Sequence, residues 1–340
     1  MKSKIIIAVL FFLFAMRGHA QDPVFTQFFL IPETLNPGFT GTLVTGYTGL
    51  IHRSQWPDGS RKIETDFAFI NGPIGSDGNS GLGLTMLRQH EVFTNYNYFQ
   101  INGAYSYNVD LNSEWRFRLG IEAGYGNKNF NFSSLLLEDQ INSDNGSISG
   151  GSIDPTILNS NGKLHFFDLS SGLVIYNDQA WIGTSLKHMN KPDIAFTENA
   201  NIPLNMFLSI HGGYSINLEG SRLSFLPQDS NLLLTANYMK QAQYNRLDLG
   251  GALEFKPLMI GVLAATNPQG KSNNSHFLTS LNTFVSIQLD RFVLGYSYDA
   301  NTSKFGNSQG VHELSLTWQL GRGCASCNNY LVKRPWGRNY

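Results

Sequence analysis

The residues of this chain that could do chemistry are few and scattered. Cys324 and Cys327 form a Cys-x-x-Cys pair close to the C-terminus, a spacing that serves redox chemistry where the surrounding fold lowers one thiol's pKa. The flanking Gly-Arg-Gly-Cys-Ala-Ser-Cys-Asn-Asn carries no βαβ pattern. Three states therefore stay open: a local disulfide made in an oxidising compartment, a bond to a partner, or free thiols. A metal would need two more ligands, and His312 lies a strand's length away. The eight histidines are dispersed, and no His-Glu-x-x-His pair occurs. Gly183-Thr-Ser-Leu-Lys187 lacks the last glycine of a nucleophile elbow. No glycine loop with a lysine exists to hold phosphate. These residue types supply no catalytic set, no cofactor site and no metal site, and the chain reads as a non-enzyme.

A second group is defined by where it falls in a period of two. In Trp115–Gly126, Trp115, Phe117, Leu119, Ile121, Ala123 and Tyr125 form one apolar file, and Arg116, Arg118, Gly120, Glu122, Gly124 and Gly126 form the other. Strict alternation is a strand signal. An apolar file with an aromatic at each end, over roughly ten residues, fits a membrane barrel strand with a polar lumen face; an exposed strand of a soluble sandwich is the alternative. The polar files place Asp66, Arg116, Arg118, Glu122, Asp168, Asp248, Glu254, Lys256 and Glu313 inward. Their signs are mixed, whereas a selective pore favours one sign. They either pair across the lumen or receive a segment of a partner. Polar interior files also argue against a site for a long hydrocarbon.

Positioning such files requires a closed sheet, and composition agrees. Of 340 residues, 41% are apolar and 14% charged, against roughly 25% charged in soluble domains. Beyond the N-terminus the longest apolar run, residues 257–265, is far short of the roughly twenty a spanning helix needs. Lys2 and Lys4, the apolar run 5–16 and Gly18-His-Ala20 read as a signal peptide over residues 1–20. Removing Lys2, Lys4 and Arg17 from 24 basic residues leaves 21 against 25 acidic ones, which gives no reason to expect a nucleic-acid partner.

Period-two runs predict an all-β, antiparallel up-and-down transmembrane barrel over residues 44–320. Its fourteen strands fall at 44–56, 60–71, 80–89, 95–109, 114–128, 164–176, 180–188, 203–217, 231–240, 243–256, 258–266, 276–289, 291–299 and 309–320. Fourteen is even, as single-chain bacterial barrels require. Placing both termini in the periplasm puts the long connections 129–163, 189–202, 267–275 and 300–308 outside and the tight turns inside, the asymmetry of outer membrane barrels. Residues 21–43 precede the first strand as a segment that closes the periplasmic end or enters the lumen. Phe25, Phe28 and Phe29 are expected on one side of a short helix there, with Pro32 and Pro37 breaking anything longer. Residues 321–340 form a basic periplasmic tail.

The elements Phe25-Thr-Gln27-Phe28, Asn36-Pro37-Gly-Phe-Thr-Gly41 and His52-Arg53-Ser-Gln55-Trp56 resemble the opening of the PorP/SprF family of type IX secretion outer membrane proteins. Gly38, Thr40 and His52 depart mildly from that pattern. The resemblance implies a non-catalytic outer membrane barrel of the secretion and gliding-motility apparatus, surrounded by outer membrane lipid. In the SprF-like branch, which the chain is taken to follow, the partner is the C-terminal domain of a surface adhesin, docked at loops 129–163 and 189–202. Periplasmic secretion components would meet the tail. A core-machine barrel of the PorP-like branch and a general porin or solute transporter are the alternatives.

Overall fold

The computed structural model describes residues 22–43, 45–57, 61–75, 78–131, 136–142, 145–148, 150–153, 162–196, 200–218, 227, 230–269, 277–302 and 310–321. The expected signal peptide and the tail with Cys324 and Cys327 lie outside the described residues. Fourteen antiparallel strands run in order: β1 (Tyr47–Gln55), β2 (Ile63–Ile74), β3 (Ser80–Glu91), β4 (Tyr96–Asp110), β5 (Arg116–Asn129), β6 (Lys163–Tyr176), β7 (Ala180–Lys187), β8 (Phe207–Asn217), β9 (Asn231–Gln241), β10 (Tyr244–Phe255), β11 (Leu258–Thr266), β12 (Leu278–Leu289), β13 (Phe292–Asn301) and β14 (Val311–Gln319). Each pairs with its sequence neighbours, and β1 pairs with β14 from Tyr47 opposite Gln319 to Gln55 opposite Val311, so the barrel has no free edge. Closure removes the unpaired backbone that a bilayer would not tolerate.

Side chains sort by parity. On β5, Leu119, Ile121 and Tyr125 are about half exposed, whereas Arg118, next to Leu119 on the opposite file, is 2% exposed. On β14, Leu314 and Leu316 face out while Glu313 and Ser315 are buried. Stacked Phe292 and Trp318 mark the outer wall at the tight-turn end, and Tyr125 with His165 mark it toward the long-loop mouth, the positions of aromatic girdles.

The lumen is filled by residues 22–43, which run from the mouth down to the foot of β1. Two 3-10 turns, Pro32–Thr34 and Pro37–Phe39, shape the segment. Proline suits each first position because its missing N–H has no helical partner, and Asn36 caps the second turn by accepting the Gly38 N–H at 2.7 Å. The three phenylalanines do not share one side. Phe25 packs with Ile51, Phe67 and Phe69, whereas Phe28 and Phe29 join Phe39, Trp181, Met239 and Phe284. A segment that touches wall all round has no solvent face, so apolar residues serve on both sides. The interior is accordingly mixed: these two apolar clusters, and a third of Tyr98, Phe166, Ile194 and Leu204 toward the mouth, stand where polar files alone were expected.

Candidate functional site

Two seats hold the plug. At the first, Glu313 of β14 is fully buried and accepts the backbone N–H groups of Thr26, at 2.9 Å, and Gln27, at 3.2 Å, together with Arg53 Nε at 3.2 Å. Gln27 Nε2 donates to the Glu313 carbonyl at 3.2 Å, and Ser315 Oγ donates to Gln27 Oε1 at 2.6 Å. The Thr26 hydroxyl donates to Asp299 at 2.7 Å, and Arg53 Nη1 donates to Gln55 Oε1 at 2.7 Å. A buried carboxylate is tolerated only when paired and hydrogen-bonded; here Thr26 and Gln27 of the plug supply two donors, and Arg53 and Ser297 of the wall the other two.

The second seat lies nearer the tight-turn end. Asn36 Nδ2 donates to the carbonyls of Leu173 and Thr184 at 3.0 and 3.1 Å and lies 3.1 Å from His211 Nε2. Lys187 Nζ donates to the Thr34 carbonyl at 2.7 Å. Gly41, at φ +65°, donates its N–H to Asn71 Oδ1, and its carbonyl accepts Arg118 Nη1 at 2.6 Å. The wall makes room here by lacking side chains: a Cβ at Gly120 would sit 2.4 Å from the Pro37 carbonyl, and one at Gly172 would sit 2.0 Å from Asn36 Oδ1.

At the mouth, the tip of the plug is locked by charge. His188, just past β7, lies 2.7 Å from Asp22 Oδ2 through Nε2 and 2.9 Å from Asp168 Oδ2 through Nδ1. Burial alone works against the His188 charge, but Asp22 and Asp168 outweigh it and raise the group from 6.5 to about 9. Burial alone would raise Asp22, yet the charge and hydrogen bond of His188, helped by Lys187 and Lys128, hold it at about 2. The tip separates two cavities. One of about 380 Å³ is lined by Arg53, Gln55, Trp56, Arg246 and Asp299. The other, of about 360 Å³, is lined by Tyr96, Tyr98, Lys128, Phe130, Ile194 and Phe196.

The motif residues Phe25, Gln27, Phe28, Asn36, Pro37, Gly41, Arg53, Gln55 and Trp56 thus meet at the plug and its wall. Arg118, Asp168, Asp248 and Glu313 are buried in the lumen, with Asp248 taking Arg246 Nε at 2.7 Å. Glu122 accepts Thr85 Oγ1 at 3.4 Å, and Arg116 lies 3.7 Å from Asp110. Glu254 is half-buried near the foot of β10. Asp66 does not face the lumen. Its neighbours Thr65 and Phe67 are buried on the inward file, and Asp66 sits on the outer wall with His52 at 2.7 Å and Arg88 at 3.0 Å. The plug's Phe25 and Ile31 turn β2's aromatic file inward, which inverts the rule that apolar means lipid-facing. Lys256 is exposed in the turn between β10 and β11. Alternation failed to single out Lys128, although it shares the inward file of Arg116 and Arg118. No local pattern marks His188.

A closed fourteen-stranded barrel with an apolar outer belt and an occupied lumen defines an outer membrane β-barrel protein. The family model of the type IX secretion system membrane protein PorP/SprF matches residues 18–318, and the chain belongs to that family. It is thus an outer membrane barrel of the type IX secretion system. Among solved structures it is similar to a Pseudomonas aeruginosa FadL homologue, with TM-score 0.43 and 11% identity over 84% of this chain and 93% of that one. It is also similar to BamA from Haemophilus ducreyi lacking POTRA domains 1-3, with TM-score 0.39 and 9% identity over 80% and 69%. A Rh. blastica porin mutant gives TM-score 0.33 and 9% identity over 81% and 98%. No curated protein matches the chain.

Proposed function

We propose that this barrel is a non-catalytic docking element, in which the long-loop mouth receives the C-terminal domain of a secreted surface adhesin and holds it at the cell surface. The observation that carries the reading is the plug: Gln27, Asn36 and Gly41 are bonded into the wall, so the lumen is occupied and the mouth remains as a working surface. Loops 129–163 and 189–202 would then lie outside the cell. The tight turns would face the periplasm, where residues 321–340 meet secretion components, as in the SprF-like branch. Deleting residues 135–160 should abolish surface display of the client while the barrel still inserts; unchanged display would end this reading. A diffusion porin predicts steady conductance from the purified protein instead.

A further inference from the structure

Resting on that docking role, we infer that the mouth cavity beside Lys128 is a receptor for the free C-terminal carboxylate of a polypeptide whose last side chain is apolar. Lys128 is on the inward file of β5, opposite Tyr98, and is 5% exposed. Its ammonium lies 5.2 Å from the Tyr98 ring centroid and 5.5 Å from that of Phe166. Among the described residues it has no hydrogen-bond or ion-pair partner. A cation withdrawn from water without a directly bonded counterion is costly; Asp22 and Asp168 act on it only through space, and aromatic faces return only part of that cost.

The carboxylates that share the cavity are already engaged. Asp22 is held by His188 at 2.7 Å, and Glu91 accepts the Thr94 hydroxyl at 2.9 Å. An incoming anion therefore finds one cation with no direct hydrogen-bond partner, between walls of Phe130, Ile194, Phe196 and Leu204 that suit an apolar side chain beside it. The two resident carboxylates disfavour a doubly charged phosphate. The cavity, about 360 Å³, is in the range that encloses a small ligand or the end of a chain. The plug tip closes it below, so a terminus can enter from the mouth but cannot pass through.

The test uses the purified full-length barrel in detergent and a fluorescein-labelled hexapeptide, Gly-Ser-Gly-Ser-Val-Phe, as free acid and as C-terminal amide, read by fluorescence anisotropy. The free acid should bind at least tenfold more tightly. Lys128→Met should erase that difference and Lys128→Arg should keep it, with equal thermal midpoints; should Lys128→Met fail to fold, the acid and amide on the native protein decide alone. Equal binding of acid and amide, no binding of the acid at millimolar concentration, or equal binding of an amidated peptide with an internal glutamate would overturn the inference. Such a failure, with client display still lost on removing residues 135–160, would leave the docking role standing.

Discussion

Substituting Gly120 with alanine should loosen the plug. A Cβ at that position would lie 2.4 Å from the carbonyl carbon and oxygen of Pro37 and 2.5 Å from Gly38 N, whereas ordinary contact starts at 3.4 Å. The turn at Pro37–Phe39 must therefore withdraw by about 1 Å, because a packed wall cannot absorb the overlap. That movement takes Asn36 Nδ2, now 3.0 and 3.1 Å from the carbonyls of Leu173 and Thr184, to roughly 4 Å, beyond hydrogen-bond reach. Two half-buried carbonyls then lose a donor and the buried Asn36 amide loses its acceptors, at about 1–2 kcal/mol for each bond, so the seated state weakens by about 2–4 kcal/mol. At about 1.4 kcal/mol per factor of ten, the unseated population rises roughly thirty- to several-hundred-fold. Single-channel recording in planar bilayers should show this as more frequent brief openings. Gly103→Ala is the control, since a Cβ at Gly103 meets nothing within 4 Å. Openings no more frequent in Gly120→Ala than in Gly103→Ala would refute the account of the wedged plug.

Two further outcomes follow from the lock at the mouth and from the parity of β2. The raised His188 contributes fully below pH 6.5 and is lost as pH rises through about 9, while the lowered Asp22 contributes fully above 3.8 and is lost as pH falls through about 2. The plug tip should therefore be held best between pH 3.8 and 6.5. Openings should grow more frequent from 6.5 to 9, and Asp22→Asn should flatten that rise; a native profile without a pH trend would contradict the lock. Asp66→Leu, on the outer wall near the mouth, should change stability by no more than about 1 kcal/mol. Glu313→Leu strips Arg53, Thr26 and Gln27 of their acceptor and should cost about 3–5 kcal/mol. Equal losses in urea unfolding would show that the two carboxylates had been assigned to the wrong faces.

The barrel was legible because a lipid-facing wall imposes a period of two over each strand. The predicted bounds depart from the observed ones by at most four residues, the largest at β8, which starts at Phe207 rather than at 203. Residues 203–206 instead follow a tucked connection in which the Ile194 N–H meets the Ile202 carbonyl and Leu204 is buried. Legibility failed at β2. There Phe67 and Phe69 alternate with Asp66 as they would on a lipid-facing strand, and only the arrival of Phe25 and Ile31 from inside decides which file turns inward.

The sequence by itself determined the wall: its strand number, its antiparallel order and most of its inward residues, since these depend on neighbours two positions apart or one hairpin away. Only the tertiary structure decided what the wall encloses. The contacts of Gln27 with Glu313 and Ser315, of Asn36 with Leu173 and Thr184, and of Asp22 with His188 span more than a hundred residues. No local periodicity encodes such pairs, because they arise when a segment with no solvent face of its own is threaded through a closed ring.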